Sequence, residues 1–223
     1  GGTLVDQVHH QQTVPASPPR FQPTTAHVPE SGVEPAAAPT DLLFFNGLGG
    51  FTRDGREYVI TTASGRVTPA PWVNVLANPQ FGTVVSESGL GYTWGENAHE
   101  YRLTTWHNDP VSDPCAEAIY LRDEATGRYW SPTPLPRRGT GSYVTRHGFG
   151  YSVFEHTQDG VRSELWVYVA TDAPIKFTVL KVRNESGRPR RLSATGYVEW
   201  VLGDLRAKTL MHVITEHLPA GGG

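Results

Sequence analysis

The sequence predicts an all-β chain that folds as a large antiparallel β-sandwich. From residue 41 onward, short runs rich in β-branched and aromatic residues recur between turn signals. The chain has 24 glycines and 18 prolines together with six tryptophans and nine tyrosines, which is typical of turns and strands. No stretch of ten or more residues carries a clear 3.6-residue apolar repeat, so the sequence disfavours parallel βαβ units.

The first 40 residues differ from the rest of the chain. They contain seven prolines among Ala, Gln, Thr and Ser, with hardly any apolar clustering. We therefore interpret residues 1–40 as a Pro-rich linker or disordered tail, and we place the folded domain in residues 41–223. His9 and His10 lie within the tail, but two adjacent side chains on such a segment do not fix a metal-ligand geometry.

Strands are predicted wherever an apolar run is bounded by turn residues. Asp159 and Gly160 have the spacing of a two-residue hairpin loop, and residues 184–187 separate two further runs. The glycine cluster at residues 46–50 lacks the pattern of a phosphate-binding loop, so we interpret it as a tight strand connection. The predicted strands include residues 58–61, 81–85, 118–121, 151–154, 164–169, 177–182 and 196–202.

The clearest alternation of side chains covers residues 192–202. It predicts a single extended strand with two distinct faces. One face would carry Leu192, Ala194, Gly196, Val198, Trp200 and Leu202, and the other Ser193, Thr195, Tyr197 and Glu199.

Composition excludes several classes of protein. The 19 Lys and Arg residues are balanced by 22 Asp and Glu, so the chain lacks the basic field that nucleic-acid binding requires. Its longest apolar runs fall well short of the roughly 18 residues that a spanning helix needs, so no membrane span is predicted. Cys115 is the only cysteine and cannot form an internal disulfide, which suits a reducing compartment.

Catalytic motifs are not found in the sequence. Neither a G-x-S-x-G elbow nor an H-E-x-x-H pair is present, and Cys115 has no motif around it. Asp109, Asp113 and Glu117 are close in sequence, but this does not establish the carboxyl separation of ~5 to 9.5 Å that glycoside chemistry requires. We therefore predict no catalytic residue, no cofactor and no metal site.

Residues 91–110 are denser in aromatic and polar side chains than a sandwich requires. Trp94 and Trp106 offer faces on which a pyranose can stack, Arg102 offers a forked donor, and Asn97 could bond hydroxyls. Alternatively, both tryptophans belong to the core and residues 108–110 form a turn whose side chains bond their own backbone. Reasoning from the residues leaves both interpretations open. The candidate substrate-binding residues are Trp94, Arg102, Trp106, Asn108 and Asp109.

A family resemblance rests on ordered segments that extend from about residue 41 to residue 216. The segments are residues 44–51, 54–60, 71–79, 102–111, 120–123, 130–134, 143–151 and 197–203. Together they closely resemble the cyclic β-1,2-glucan synthases and β-1,2-oligoglucan phosphorylases of glycoside hydrolase family ninety-four, formerly glycosyltransferase family thirty-six.

The resemblance implies an N-terminal β-supersandwich, of galactose-mutarotase-like fold, that is truncated at its C-terminal end. In this family a helical linker, an (α/α)₆ barrel and a jelly roll follow that domain. The general acid and the phosphate-binding groups lie on the barrel, so this chain would be a fragment that carries neither. The resemblance also places Arg102 and the loop at residues 106–109 near the glucan subsites of the barrel.

We therefore expect a carbohydrate-binding accessory domain of a phosphorylase or glycosyltransferase acting on β-1,2-glucan, above all a cyclic β-1,2-glucan synthase. The chain should be inactive alone. The alternative is a stand-alone, non-catalytic glucan-binding module. The expected partners are a β-glucan, the helical barrel of the parent enzyme and a second copy in a homodimer. The resemblance further implies a cytoplasmic location, with the parent synthase associated with the inner membrane.

Overall fold

The computed structural model describes residues 41–107, 109, 111 and 115–216. The predicted linker, residues 1–40, lies outside this part of the chain, as do Asn108 and Asp113. Every strand pairing among the described residues is antiparallel. The prediction of an all-β, antiparallel fold is therefore confirmed.

The described residues form strands β1 to β14 and one short helix, α1. The strands are β1 (Gly49–Phe51), β2 (Glu57–Thr62), β3 (Val73–Asn78), β4 (Phe81–Ser86), β5 (Gly91–Gly95), β6 (Arg102–Thr104), β7 (Glu117–Asp123), β8 (Tyr129–Trp130), β9 (Tyr143–Gly148), β10 (Tyr151–Gln158), β11 (Val161–Val169), β12 (Lys176–Asn184), β13 (Leu192–Val198) and β14 (Trp200–Gly203), and the helix is α1 (Arg206–Thr209).

These strands form three sheets that pack as a sandwich. A six-stranded sheet has the order β1-β2-β9-β10-β11-β12, a five-stranded sheet the order β14-β6-β5-β4-β3, and a three-stranded sheet the order β13-β7-β8. Leu76 and Val85 of the five-stranded sheet pack on Phe154 and Leu165 of the six-stranded sheet. A second cluster joins the three-stranded sheet to the same face, with its members Leu121, Trp130 and Val161. The six-stranded sheet is thus one layer, and the two smaller sheets cover it.

The predicted turns occur where the sequence places them. Asp159 and Gly160 have φ of 50° and 73° and join β10 to β11, with Gln158 paired to Val161. Two consecutive residues with positive φ are what a type I′ hairpin requires. In the cluster at residues 46–50, the Asn46 side chain accepts hydrogen bonds from the N–H groups of Leu48 and Gly49. That cluster is a tight strand connection, as predicted.

The prediction of one strand over residues 192–202 is wrong. The chain leaves the three-stranded sheet after Val198 and joins the five-stranded sheet at Trp200, where β14 pairs with β6. The register shifts between Trp200 and Gly203, and Leu202 has a φ of 52°. Because this bulge interrupts the alternation, Val201 is buried, whereas Trp200 and Leu202 are exposed.

Candidate functional site

The candidate site begins with a turn that places Arg102 opposite Trp94. The Gly95 N–H donates to the Tyr101 carbonyl at 3.0 Å, which closes the connection between β5 and β6. Within it, the Asn97 side chain accepts from the N–H groups of His99 and Glu100 at 2.8 and 3.0 Å. The Asn97 side-chain oxygen therefore shapes the turn, and Trp94 and Arg102 become direct cross-strand neighbours.

Three aromatic side chains, Tyr92, Trp94 and Trp106, form a cluster that we call the aromatic cluster. Tyr92 is 6% exposed and contacts both tryptophans. Its ring lies 5.1 Å from that of Trp106 in a stacked arrangement and 5.3 Å from that of Trp94 in a tilted one. Trp106 remains 39% exposed, so the buried tyrosine supports an indole that solvent can reach.

Trp94 is held in this cluster from the neighbouring strand. It lies opposite Gly82 of β4, and a Cβ atom at Gly82 would overlap the Trp94 indole. The absence of a side chain at Gly82 therefore makes the space that the half-buried Trp94 occupies. Trp94 therefore has features of a core residue and of a sugar-stacking residue, because it packs closely on β4 while part of its surface stays accessible.

Arg102 is buried beneath the cluster, at 9% exposure. Its Nε donates to the Ala98 carbonyl at 3.2 Å and its Nη1 to the Asp204 carbonyl at 3.0 Å. The guanidinium carbon lies 5.5 Å from the centre of the Trp106 ring and 5.9 Å from that of Tyr92. Arg102 thus connects the turn before β6 to the segment after β14 and supports two aromatic rings.

The loop after β6 carries the remaining candidates. The Thr105 hydroxyl lies 3.1 Å from His107 Nε2, and exposed Asp109 accepts a hydrogen bond from the Val111 N–H at 2.9 Å. That contact is an Asx turn, as the alternative interpretation anticipates for this loop. Asn108 lies outside the described residues. The structure therefore brings Trp94, Arg102 and Trp106 together and places Asp109 on the loop that follows them.

A half-buried ion pair between the sheets was not identified from the sequence. Lys176 Nζ lies 2.5 Å from Glu117 Oε2, and Glu117 Oε1 accepts from the hydroxyls of Thr93 and Thr104 at 2.6 and 2.8 Å. Lys176 also lies 3.3 Å from the Thr83 hydroxyl. A cavity of about 210 Å³ adjoins the pair and is lined mainly by apolar residues of β4, β7, β11 and β13.

The electrostatics of this ion pair argue against acid catalysis by Glu117. Burial alone would raise the pKa of Glu117, but Lys176 and the two threonine hydroxyls outweigh it and hold the pKa below its ordinary value. Glu117 is therefore ionised at neutral pH and already satisfied by its partners. A general acid needs the opposite shift, so the pair serves to join the two layers.

Among residues 41–107, 109, 111 and 115–216, no three His, Cys, Asp or Glu side chains lie close enough together to hold a metal ion. No helix of the described residues is long and apolar enough to cross a bilayer. The Cys115 thiol is half-buried and lies 3.4 Å from the Glu117 carbonyl.

Comparison with known proteins gives one family. Residues 56–222 match the family described as "Glycosyl hydrolase 94, supersandwich domain". The chain is 45% identical over 177 residues to the cyclic beta-(1,2)-glucan synthase NdvB of Rhizobium meliloti (strain 1021), covering 79% of this chain and 6% of that protein. It is 32% identical over 167 residues to an N,N'-diacetylchitobiose phosphorylase of Vibrio furnissii, covering 74% of this chain and 20% of the enzyme.

A solabiose phosphorylase of Paenibacillus borealis is 30% identical over 164 residues, which cover 70% of this chain and 20% of the enzyme. The chain therefore spans a fifth or less of the length of these curated relatives. The matched region contains the aromatic cluster, Arg102 and the Glu117–Lys176 pair.

Proposed function

The chain belongs to the supersandwich-domain family of glycosyl hydrolase 94, and from that premise we propose that it is the carbohydrate-binding accessory domain of a larger enzyme acting on β-1,2-glucan. The similarity to NdvB favours a cyclic glucan synthase as the parent, because that relative is a cyclic beta-(1,2)-glucan synthase. Chemistry would then be performed by residues outside the described β-sheets, on the helical barrel of the parent enzyme.

The observation that carries the proposal is the exposed indole of Trp106. A pyranose ring presents C–H groups on its faces, and an aromatic ring that is both accessible and rigid binds them with little loss of entropy. Trp106 meets both conditions because Tyr92 supports it and Arg102 lies within 5.5 Å of its ring centre. Trp94 extends the same cluster, because its ring also contacts that of Tyr92.

The roles of the candidate residues follow from these contacts. Trp106 and Trp94 supply stacking surfaces, and Asp109 supplies hydroxyl contacts from the loop after β6. Asn108 lies outside the described residues, and its role as a hydroxyl ligand rests on the sequence pattern alone. Arg102 positions the cluster, since its Nε and Nη1 donate to backbone carbonyls. A neutral polyhydroxyl ligand suits a surface that combines aromatic faces with a few polar groups.

Steady-state kinetics of the full-length parent enzyme test this proposal. Trp106→Ala should raise KM for β-1,2-glucan about three- to tenfold, because a stacking contact contributes roughly 0.5–1.5 kcal/mol beyond area burial. The kcat should stay near wild type, since no reacting group is removed. The matched control is Phe149→Ala, which truncates another exposed aromatic residue, 85% exposed in the turn between β9 and β10. An unchanged KM in a folded Trp106→Ala enzyme would refute the proposed role.

A further inference from the structure

Two arginines lie directly opposite each other on neighbouring strands of the six-stranded sheet. Arg162 of β11 is paired in register with Arg183 of β12. Their side chains are 46% and 80% exposed, and both lie on the sheet face that points away from the core. Like charges at directly opposed positions of an antiparallel pair repel each other and destabilise the pairing.

The nearest carboxylates neutralise this pair only weakly. Arg162 Nη2 lies 3.9 Å from Glu155 Oε1, and that same oxygen lies 3.4 Å from Arg146 Nη2. Arg183 Nε lies 3.7 Å from Glu185 Oε1. Ion pairs this long contribute little when solvent reaches them, so most of the positive potential of the two guanidinium groups is left uncompensated.

Both arginines line one surface depression of about 310 Å³. Its other lining residues are Glu164, Lys181 and Val182. The Glu164 carboxylate already has hydrogen-bond partners within the domain. Its Oε1 accepts from Lys181 Nζ at 2.8 Å and from Trp166 Nε1 at 2.6 Å. The Lys181 hydrogen bond is the largest effect that holds the pKa of Glu164 below its usual range. Since Lys181 and Glu164 cancel, the remaining field of the depression is positive.

We propose that Arg162 and Arg183 form a binding site for a phosphate group. A guanidinium presents two parallel N–H donors that match two oxygens of a tetrahedral oxyanion, and two such forks facing one depression can hold a single anion from both sides. The bound anion attracts both guanidinium groups and so offsets the repulsion between them. The site lies on the outer face of β11 and β12, so it is separate from the proposed glucan function and does not depend on it.

Calorimetric titration of the 223-residue chain with inorganic phosphate, at constant ionic strength maintained with sodium chloride, tests the proposal. Arg162→Gln and Arg183→Gln should each weaken binding at least fivefold, and the double variant should abolish it. Arg56→Gln is the matched control, because it removes an arginine as exposed as Arg183 from the turn after β1 and should leave the affinity unchanged. Absence of binding to wild type, or equal binding by the double variant, would overturn the proposal.

Thermal unfolding supplies a second test, in which a variant that loses phosphate affinity should keep or gain melting temperature in the absence of phosphate. In phosphate-free buffer, Arg183→Gln should melt at or above the temperature of wild type, because it relieves the cross-strand repulsion. In phosphate, wild type should gain melting temperature whereas the double variant should not. A double variant that gains as much as wild type would contradict the site.

The source of the phosphate is distinguished by co-sedimentation with lipid vesicles. Retention on phosphatidylglycerol vesicles but not on phosphatidylcholine vesicles, lost in the double variant, would assign the site to an anionic lipid headgroup. Binding of inorganic phosphate without vesicle retention would assign it to a free phosphate or a small phosphate ester. Vesicle retention that survives in the double variant counts against the site.

Discussion

Arg102 is the residue on which the geometry of the aromatic cluster depends. Replacing it with alanine leaves the Ala98 and Asp204 carbonyls without their donors and removes a cation from beneath Trp106. Unmade hydrogen bonds at buried positions cost about 1–3 kcal/mol each. We therefore expect Arg102→Ala to lower the free energy of unfolding by about 2–4 kcal/mol, measured by urea denaturation.

The control for this variant is Arg56→Ala, which should change the free energy of unfolding by less than about 0.5 kcal/mol because Arg56 is a surface residue. One result would show that Arg102 has a different role. If Arg102→Ala keeps the wild-type unfolding midpoint but weakens glucan binding, then Arg102 is a direct sugar ligand and not a positioning residue.

His147 makes the stability of the fold dependent on pH. Its Nδ1 lies 2.9 Å from the Ser152 hydroxyl, and its Nε2 lies 3.2 Å from the Trp72 carbonyl. Burial lowers the pKa of His147 to about 4, and burial also lowers the pKa of His156. Below pH 6.5 the unfolded chain takes up protons at these positions that the folded chain does not, so stability falls as the pH decreases.

We expect the free energy of unfolding to fall between pH 7 and pH 4.5, with about 2 kcal/mol of the loss due to His147. Urea denaturation across this range should show a smaller loss for His147→Gln, while exposed His99→Gln should retain the wild-type slope. Equal slopes for wild type and His147→Gln would show that this imidazole is not kept neutral by the fold.

At the scale of single residues, the sequence located the aromatic segment but not the Glu117–Lys176 pair. The aromatic segment is local, because Tyr92, Trp94 and Trp106 lie within 15 residues of one another and their density is visible in the chain. Glu117 and Lys176 are 59 residues apart and meet only after the three-stranded sheet packs on the six-stranded one. A contact between layers has no signature in local sequence patterns.

Among the structural elements, three turns at one end of the sandwich are joined by Arg190. Its Nη1 donates to Asp123 Oδ2 at 2.7 Å, its Nη2 to the Asp159 carbonyl at 2.6 Å, and its Nε to the Ser186 hydroxyl at 3.0 Å. The side chains of Arg190 and Asp123 are both almost fully buried. Asp123 also accepts from the Ala125 N–H at 2.8 Å, so several hydrogen-bond donors stabilise its negative charge.

Breaking this pair should be costly. Removing one partner of a buried ion pair leaves an uncompensated charge, which costs about 3–5 kcal/mol. We expect Arg190→Ala to lower the free energy of unfolding by that amount and to raise amide hydrogen exchange in the turns after β7, β10 and β12. The control is Arg191→Ala, whose side chain is exposed and should matter little. Wild-type exchange in all three turns of Arg190→Ala would contradict this role.

The strand pattern explains which elements were predictable. Asp159 and Gly160 specify their hairpin because only a few residue types adopt positive φ at two consecutive positions. The prediction of one strand over residues 192–202 failed because the alternation of side chains continues through Glu199, where the chain passes from one sheet to another. The bulge at β14 depends on pairing with β6, about one hundred residues earlier in the sequence, and no local pattern encodes that partner.

At the scale of the whole molecule, each layer has an edge strand that carries exposed apolar side chains. Within the described residues, β12 pairs only with β11 and β13 only with β7. Their exposed side chains include Phe177, Val179, Tyr197 and Val198. Long apolar edge strands favour pairing with additional strands, so we expect this side to be covered in the parent protein. The incompleteness of the domain, the cytoplasmic location and the homodimer stay predictions.

We propose above all that this β-domain binds β-1,2-glucan through the aromatic cluster. Calorimetric titration of the 223-residue chain with β-1,2-linked gluco-oligosaccharides tests it most directly. Wild type and Phe149→Ala should bind with equal affinity, Trp106→Ala should bind at least threefold more weakly, and all three should melt at similar temperatures. Failure of the folded wild-type chain to bind these oligosaccharides, or identical affinity in Trp106→Ala, would contradict the claim.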